Sequence, residues 1–295
     1  MARSTLDKTS ILQEGDVFIL VVGAPLSGKS TFINNCFSNP DLAPVHHQLF
    51  PPSHEVAGYF QLHSDASTAC GEGRRLVLID TPGLFSWRSD DLGIVKDIVD
   101  LLLKAHAHQK TIRILYLHDI SSPRMSVDVL MSLSILKALC GKVGWKHVWL
   151  ATTQWTFIPT GQDGNNHAVE QASKGLEERE AHLKAVYWKE CLEGGAHCRR
   201  IQGHSSERAL IGDILTSLDD IDDNFVGFAI QKELQQDRLA FPNTETGKAM
   251  KSCLMRALEE EIKSGGDRER IEVLKRQHQE LTKTAQPKRR FARKQ

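Results

Sequence analysis

Short apolar runs alternate with longer amphipathic stretches over most of the chain. Residues 16–22 (DVFILVV) form a continuous, β-branched run, which is typical of a strand buried on both faces of a parallel sheet. Comparable runs predict strands at 56–63, 74–79, 111–117, 147–153 and 196–201. Stretches with the apolar period of a helix lie between them, at 30–37, 90–107, 126–140, 173–193 and 207–218. This alternation predicts an α/β fold of three layers (α/β/α) with a mostly parallel sheet and right-handed crossovers.

The pattern changes after about residue 222, where the strand-like runs stop. Residues 225–241 and 246–263 are predicted as helices, and two glycines at 265–266 end the second. The apolar spacing over 271–281 allows two interpretations, a coiled coil or an amphipathic helix lying on the α/β domain, because it is too short to decide. We therefore expect a flexible N-terminal arm (1–15), an α/β domain (16–222), a C-terminal helical extension (223–285) and a basic tail (286–295).

Charge and cysteine usage exclude several classes of function. The 37 Lys and Arg residues balance 37 Asp and Glu residues, so the chain as a whole is not an electrostatic binder of nucleic acid or membrane. Only the tail is strongly basic, and it is either a solvated terminus or a contact for anionic lipid of a membrane, nucleic acid or an import receptor. The six cysteines include no Cys-x-x-Cys pair, which indicates reduced thiols and a cytoplasmic location rather than disulfides or zinc.

The first predicted strand leads into a glycine-rich segment with the spacing Gly-x-x-x-x-Gly-Lys-Ser, that of a phosphate-binding loop (P-loop). Glycines let backbone N–H groups converge on a phosphate, and the N-terminus of the following helix adds partial positive charge. Lys29 then reaches the phosphate oxygens, and the Ser30 hydroxyl ligates Mg²⁺. The predicted phosphate-binding residues are Gly23, Ala24, Pro25, Leu26, Ser27, Gly28, Lys29, Ser30 and Thr31. The segment therefore predicts a site for a nucleoside triphosphate with Mg²⁺.

A second motif, Asp-Thr-Pro-Gly at 80–83, follows the strand predicted at 74–79. In a P-loop domain Asp80 orients Mg²⁺ and the N–H of Gly83 contacts the γ-phosphate. The loop between the two motifs offers Ser53, either as a hydroxyl that closes over the metal or as a solvated loop residue. The candidate catalytic residues are accordingly Lys29 and Ser53, and the candidate metal ligands are Ser30, Ser53 and Asp80.

Two further segments narrow the assignment: 114–125 (ILYLHDISSPRM) and 148–155 (VWLATTQW). In this order the four motifs resemble the G domains of the septin-like, avirulence-induced and immunity-associated nucleotide-binding GTPase group, over about residues 16–222. The resemblance implies a P-loop NTPase fold that binds GTP or GDP with Mg²⁺ and hydrolyses GTP slowly or on dimerisation. It also implies nucleotide-dependent assembly, through a homodimer at the nucleotide face or with an unidentified protein partner.

Base recognition departs from the pattern of this group. Its members read guanine with Asn/Thr-Lys-x-Asp, whose aspartate accepts two hydrogen bonds from the base, whereas the aligned residues here are 153–156 (TQWT). Through the resemblance we assign Thr153, Gln154 and Trp155 to the base. Trp155 either stacks on the base or packs beneath the loop, and Asp163 replaces the missing carboxylate only if the loop folds back. The preference for guanine over adenine therefore rests on the resemblance.

The catalytic side departs as well. Leu84 follows Gly83, where many GTPases place a glutamine that orients the attacking water. His54 and Arg88 are candidates for that role by position alone, and His118 at a strand end is interpreted as a structural or interface residue rather than a catalyst. Three functions stay open: a switch-like GTPase with modest turnover, a nucleotide-binding scaffold with little or no hydrolysis, and an ATP or mixed-nucleotide hydrolase.

Overall fold

Seven strands form one sheet in the computed structural model, which describes residues 3–5, 16–43, 45, 57–62, 75–85, 90–107, 111–155, 166–203, 205–218 and 227–284. The strands are β1 (Arg3–Thr5), β2 (Val17–Gly23), β3 (Ala57–Leu62), β4 (Arg75–Asp80), β5 (Thr111–Asp119), β6 (Val148–Thr153) and β7 (His197–Arg200). Their order is β1-β3-β4-β2-β5-β6-β7. Strands β4, β2, β5, β6 and β7 are parallel, while β3 runs antiparallel to β4 and β1 antiparallel to β3. The predicted α/β fold with a mostly parallel sheet is confirmed.

Strand β1 lies within the segment that the sequence assigns to a flexible arm. It pairs with β3 over three residues, with Ser4 opposite Gly58. The remaining residues of the arm, 1–2 and 6–15, lie outside the described residues. The antiparallel edge formed by β1 and β3 is therefore an addition to the parallel sheet that the apolar runs predict.

Both faces of the central parallel strands β4, β2, β5 and β6 are buried, which explains their largely apolar sequences, whereas the edge strand β7 is partly exposed. In β2, Phe18 and Leu20 pack in one hydrophobic cluster, while Ile19 and Val21 pack in another on the opposite face. Successive side chains of a strand point to opposite faces, so a strand covered on both sides needs an apolar residue at every position. The two clusters are the two halves of one domain core.

Helices cover both faces. Helices α1 (Lys29–Phe37) and α6 (Ser206–Thr216) contribute to the cluster on one face. Helices α2 (Asp91–Ala107), α3 (Val127–Cys140), α4 (Asn166–His182) and α5 (Lys189–Glu193) contribute to the other. A 3₁₀ turn, Lys142–His147, links α3 to β6. The right-handed order of strands and helices brings the carboxyl ends of the parallel strands to one edge, where ligands of such sheets bind.

The C-terminal extension packs on the domain as an additional layer. It consists of α7 (Ala229–Gln235), a 3₁₀ turn (Phe241–Asn243), α8 (Glu245–Lys263) and α9 (Arg268–Thr284). Leu254 and Leu274 are completely buried in the same cluster as α2 and α3. The side chain of Gln277 accepts a hydrogen bond from the N–H of Leu92 at the start of α2, at 2.9 Å. Helix α9 thus lies on the α/β domain, which is the second of its two interpretations. None of the helices described is long and apolar enough to cross a membrane.

Two predicted helices differ in extent. The helix predicted at 173–193 begins earlier, at Asn166, and a π-helical turn, Leu183–Tyr187, separates α4 from α5. The helix predicted at 225–241 is shorter, because α7 ends at Gln235 and the chain then turns through Arg238 with a φ of 53°. A residue in this left-handed conformation ends a helix by redirecting the backbone.

Candidate nucleotide-binding site

The segment between β2 and α1 is a tight loop that glycine makes possible. Gly23 has a φ of 153°, and a Cβ there would lie 2.4 Å from the carbonyl oxygen of Leu117. Gly28 is the N-cap of α1 with a φ of 88°, and no side chain caps the helix. Uncapped N–H groups at a helix N-terminus carry partial positive charge and bind anions. The loop therefore presents backbone donors that suit a phosphate group.

The other residues of the loop divide by exposure. Ala24 and Ser27 are buried, at 6% and 1% exposure. Leu26, by contrast, is 71% exposed and adopts a φ of 63°, and Thr31 in the first turn of α1 is exposed. The buried residues shape the loop, while the exposed ones lie on its outer surface.

Lys29 folds back over the loop that precedes it. Its ammonium donates hydrogen bonds to the carbonyl oxygens of Gly23 at 3.2 Å and Ala24 at 2.8 Å. The side chain is only 7% exposed, and burial lowers the pKa of Lys29 to about 8, an effect that the charge of Asp80 opposes. A buried cation at a helix N-terminus is electrostatically unfavourable by itself. Lys29 is therefore a cation that an anionic ligand would stabilise.

Ser30 and Asp80 meet beside Lys29 and form a small oxygen-rich site. The Ser30 hydroxyl donates to Oδ2 of Asp80 at 2.7 Å. Oδ1 of Asp80 is buried and has no hydrogen-bond partner among the described residues. Burial raises the pKa of Asp80, although Ser30 and Lys29 oppose the shift.

These two side chains fit a Mg²⁺ ion bound together with phosphate. Mg²⁺ takes oxygen ligands in octahedral geometry and is commonly held by one or two protein groups plus water and phosphate oxygens. The described residues contain no group of three or more His, Cys, Asp or Glu side chains that could hold a metal by themselves. The ion would thus be held by the Ser30 hydroxyl, the Asp80 carboxylate and the ligand.

The motif at 80–83 is pressed against the phosphate loop. The Thr81 hydroxyl donates to the carbonyl oxygen of Val21 at 2.8 Å, which ties the motif to β2. A Cβ on Gly83 would lie 2.6 Å from both the N and the Cα of Pro25, so backbone meets backbone at this point. Gly83 and its N–H therefore lie next to the phosphate loop, where a ligand bound in that loop would be close.

The chain then leaves the site and enters the core. Leu84 and Phe85 are 7% and 4% exposed and pack in the hydrophobic cluster with α2. The N–H of Phe85 donates to Oδ1 of Asp91 at 2.5 Å, and Oδ2 of Asp91 lies 3.5 Å from Arg270 of α9. Leu84 is therefore unable to orient a water molecule, by its chemistry and by its position.

The carboxyl end of β6 lies against the phosphate loop. The Thr153 hydroxyl is 3.0 Å from the carbonyl oxygen of Ser27, to which it donates. Gln154 is exposed and has a φ of 62°. Trp155 turns inward, is only 4% exposed, and its indole N–H donates to the Thr152 hydroxyl at 3.0 Å. Of the two interpretations of Trp155, the structure favours packing, because the ring is buried, while the loop that follows it lies outside the described residues.

Sequence reasoning missed two residues that hold Trp155 in place. The guanidinium of Arg200 lies 4.3 Å from the ring centroid of Trp155. Its Nε and Nη2 donate to Oε2 of Glu180 at 2.8 and 2.5 Å, and Lys184 lies 3.1 Å from the same oxygen. Burial opposes ionisation of Glu180, but the hydrogen bonds from Arg200 and Lys184 outweigh it and lower its pKa. The sequence gives little indication of this contact, because Glu180 is one of several charged residues in its helix and Arg200 ends a short strand.

His118 is a buried residue near the end of β5. His118 is 7% exposed, and burial lowers its pKa to about 4, against the charge of Asp119. Its ring packs edge-on against Trp188 with the centroids 6.0 Å apart, as expected of a structural residue. The candidates Ser53, His54, Arg88, Thr156 and Asp163 lie outside the described residues.

Comparison with known proteins bears on the segment that carries both motifs. Residues 18–141 match the model of a family described as 50S ribosome-binding GTPase. No match is found among the curated proteins. The matched residues run from β2 to the end of α3 and so contain the phosphate loop and the Asp-Thr-Pro-Gly motif.

Solved structures similar to this chain include Toc33 from Arabidopsis thaliana in complex with Mg²⁺ and GMPPNP. The two sequences are 16% identical, the match covers 70% of this chain and 85% of that chain, and the TM-score is 0.45. The similar structures also include the cytosolic domain of the T. maritima FeoB iron transporter in GMPPNP form, with 16% identity, 91% and 97% coverage, and a TM-score of 0.40. Residues 18–141 are therefore similar in sequence to a GTPase family, and the sheet order around them is that of the three-layer α/β fold of P-loop NTPases.

Proposed function

We propose that this protein binds GTP with Mg²⁺ at residues 23–30 and acts as a nucleotide-dependent switch with slow or dimer-stimulated hydrolysis. The observation that carries the proposal is the convergence of Lys29, Ser30 and Asp80 around uncapped backbone donors. Lys29 is a buried cation, and Oδ1 of Asp80 has no hydrogen-bond partner among the described residues, so Mg²⁺ with a triphosphate would stabilise both groups. The buried cation gains an anion, and the free carboxylate oxygen gains a cation.

Different residues would bind different parts of the nucleotide. The N–H groups of the loop and the ammonium of Lys29 would hold the phosphates, and the N–H of Gly83 would contact the terminal phosphate. A bound Mg²⁺ would supply neutralisation of the phosphate charge. The base would lie towards Thr153 and Gln154, because Thr153 joins the end of β6 to the phosphate loop. The choice of guanine over adenine is supported by the family match of residues 18–141.

Slow hydrolysis follows from the position of Leu84. A water-orienting side chain is needed for fast GTP hydrolysis, and removing such a group slows turnover strongly. Leu84 is buried in the core and offers no polar atom. A polar group would have to come from Ser53, for which the catalytic role stays a proposal, or from a second copy across the nucleotide face. Turnover that rises with protein concentration is therefore the expected behaviour.

The same observation favours one alternative, a nucleotide-binding scaffold with little or no hydrolysis. In that case the bound nucleotide would order the loop and the motif at 80–83, and no water would be activated. Turnover measured over a wide range of protein concentration separates the two functions. A GTPase that dimerises gains activity per molecule as concentration rises, whereas the scaffold shows none at any concentration.

The finer assignment to the septin-like and immunity-associated group is part of the proposal, supported by the order of the four motifs. A cytoplasmic location is likewise proposed, supported by the free thiols of Cys36, Cys140, Cys191, Cys198 and Cys253. The basic tail at 286–295 is proposed as a solvated terminus that can meet an anionic membrane. An unidentified protein partner is compatible with these assignments.

Calorimetry with GTP, GDP and ATP in the presence of Mg²⁺ tests the binding proposal. We expect GTP to bind more tightly than ATP, and Lys29→Ala to weaken GTP binding by about 30-fold to several thousand-fold, since losing a buried charge partner costs about 2–5 kcal/mol. Lys263→Ala removes an exposed lysine at the end of α8 and serves as the matched control. Equal affinities for GTP and ATP would refute the guanine assignment, and undiminished binding by Lys29→Ala would refute the phosphate site.

A further inference from the structure

Four side chains beneath the end of β6 form a closed ring, here named the anchor ring: Thr152, Trp155, Glu180 and Arg200. The indole N–H of Trp155 donates to the Thr152 hydroxyl at 3.0 Å, and that hydroxyl donates to Oε1 of Glu180 at 3.3 Å. Oε2 of Glu180 accepts two hydrogen bonds from Arg200, at 2.8 and 2.5 Å. The guanidinium of Arg200, 4.3 Å from the indole centroid, closes the ring. The ring joins β6, α4 and β7.

The anchor ring holds Trp155 in one orientation. Thr152 is completely buried and the side chain of Glu180 is 3% exposed, so the hydrogen bond between them is shielded from water, whereas the Arg200 side chain is 40% exposed. The two bonds from one guanidinium to one carboxylate fix the plane of Arg200, and a cation over an indole face adds attraction. A buried charge that loses its partner is strongly unfavourable. Rotation of Trp155 out of the ring would therefore break several contacts together.

Gln154 lies between two fixed neighbours. On one side, the Thr153 hydroxyl donates to the Ser27 carbonyl of the phosphate loop at 3.0 Å. On the other side, Trp155 is held by the anchor ring. Gln154 itself is exposed with a φ of 62°. A residue with a Cβ rarely adopts this conformation, which persists only where the surrounding structure imposes it.

We propose that the anchor ring is a positioning device that fixes Gln154 beside the phosphate loop, where its carboxamide reads the edge of the purine base. The inference rests on the proposed function, because it needs a nucleotide in the loop. A carboxamide has both an acceptor oxygen and donor N–H groups, so the orientation of Gln154 decides which purine edge it matches. The aspartate that reads guanine in related proteins is replaced by a threonine at 156, which leaves this task to another group.

Binding of three ligands to full-length variants tests the inference. The ligands are GTP, ATP and inorganic tripolyphosphate, each with Mg²⁺ and measured by calorimetry; the variants are Arg200→Met and Gln154→Ala. We expect each variant to weaken GTP binding by up to about tenfold and to lower the ratio of GTP to ATP affinity, since losing one hydrogen bond changes an affinity by about 2- to 12-fold. The affinity for tripolyphosphate should stay within about twofold, because the hydrogen bond to the phosphate loop comes from Thr153, which both variants keep.

Arg199→Met is the matched control for Arg200→Met. Arg199 is the preceding residue of β7 and pairs with Asp213 of α6 at 2.8 Å, on the other face of the sheet. It should leave all three affinities unchanged. Arg200→Lys keeps a charge near Glu180 but lacks the planar stack, so its GTP affinity should fall between wild type and Arg200→Met. The double variant Gln154→Ala with Arg200→Met should be no weaker than the worse single variant, because both act through one contact.

Two outcomes would overturn the inference. A parallel loss of GTP, ATP and tripolyphosphate binding in Arg200→Met would show general damage to the domain, and an unchanged GTP to ATP ratio would show that the ring has no part in selection. If Arg200→Met does not fold, the ratio of GTP to ATP affinity measured for Gln154→Ala, a substitution at an exposed position, tests the inference instead. A wild-type protein that binds none of the three ligands would refute the proposed function itself, which is a separate result.

Discussion

Replacement of Lys29 by methionine should stabilise the nucleotide-free protein while abolishing its ligand site. Lys29 is 7% exposed and lies in the first turn of α1, where the helix dipole disfavours a cation. Its pKa is lowered from 10.5 to about 8. A shift of that size corresponds to about 3 kcal/mol by which folding disfavours the charged form. The lost hydrogen bonds to Gly23 and Ala24 offset about 1–2 kcal/mol of the gain. Lys29→Met should therefore be more stable than wild type by about 1–2 kcal/mol at pH 7.

The gain should shrink as the pH rises and reverse by about pH 10, where the wild type becomes the more stable protein. Below the folded pKa of about 8, Lys29 is protonated in both the folded and the unfolded state, so the full penalty acts on the wild type. Between about 8 and 10.5 the unfolded chain binds the proton and the folded protein does not, so the wild type gains stability relative to Lys29→Met. Above 10.5 both states are neutral and the penalty is absent. The difference in free energy of unfolding should fall by about 2–3 kcal/mol from pH 7 to pH 10.

Urea unfolding of both proteins without nucleotide, at several pH values, measures this difference. Taking the difference removes other titrating groups, such as the buried cysteines whose pKa is raised by burial. Lys263→Met, at an exposed position, should stay within about 0.5 kcal/mol of wild type throughout. Addition of Mg²⁺ and GTP at 100 times the dissociation constant should stabilise only the wild type, by about 2.7 kcal/mol. A variant that is less stable than wild type at pH 7 by an amount independent of pH would show that Lys29 is not an electrostatically strained cation.

Three further changes have defined outcomes. Leu274→Ala should lower the free energy of unfolding by about 2–5 kcal/mol in a single urea transition, because Leu274 is completely buried in the domain core. Ile262→Ala, at a position that is 56% exposed, is the control, and equal stability of the two variants would show that α9 is not part of the core. Gly83→Ala should weaken Mg²⁺-nucleotide binding at least about tenfold in calorimetry, because the new Cβ would lie 2.6 Å from the backbone of Pro25. The control is Gly212→Ala, whose Cβ would have no neighbour within 4 Å and which should bind the nucleotide as the wild type does. Asp80→Asn should remove the dependence of nucleotide affinity on Mg²⁺ concentration, and an unchanged dependence would exclude Asp80 as a metal ligand.

The phosphate loop was predictable because its determinants are local. Strand β2, the glycines and helix α1 occupy one continuous stretch, 17–37, and each part follows from short-range sterics or periodicity. Asp80 was predictable for a related reason, since an apolar strand that ends in a carboxylate places that carboxylate at the ligand edge of a parallel sheet. What the sequence could not show is the 2.7 Å hydrogen bond from Ser30 to Asp80, across fifty residues of chain.

Trp155 shows the limit of sequence reasoning most clearly. Its two interpretations differ only in which way one side chain turns, and the preference is decided by Glu180 and Arg200, which are distant in sequence. Single residues with no repeating pattern carry no signal of such a contact. The extension is a similar case, because the spacing of 271–281 fits either a coiled coil or a helix on the domain, and only the apolar surface offered by α2 and α3 decides.

By itself, then, the sequence determined the alternation of strands and helices, the parallel sheet and the tight glycine-rich loop between β2 and α1, since these depend on periodicity and on the backbone freedom of glycine. The tertiary structure decided which side chains share a site: that Leu84 leaves the site for the core, that Gly83 touches Pro25, and that Trp155 is buried against Thr152 and Arg200 instead of exposing its ring. The physical reason is that burial and long-range hydrogen bonding depend on the packing of distant segments, which short-range patterns do not encode.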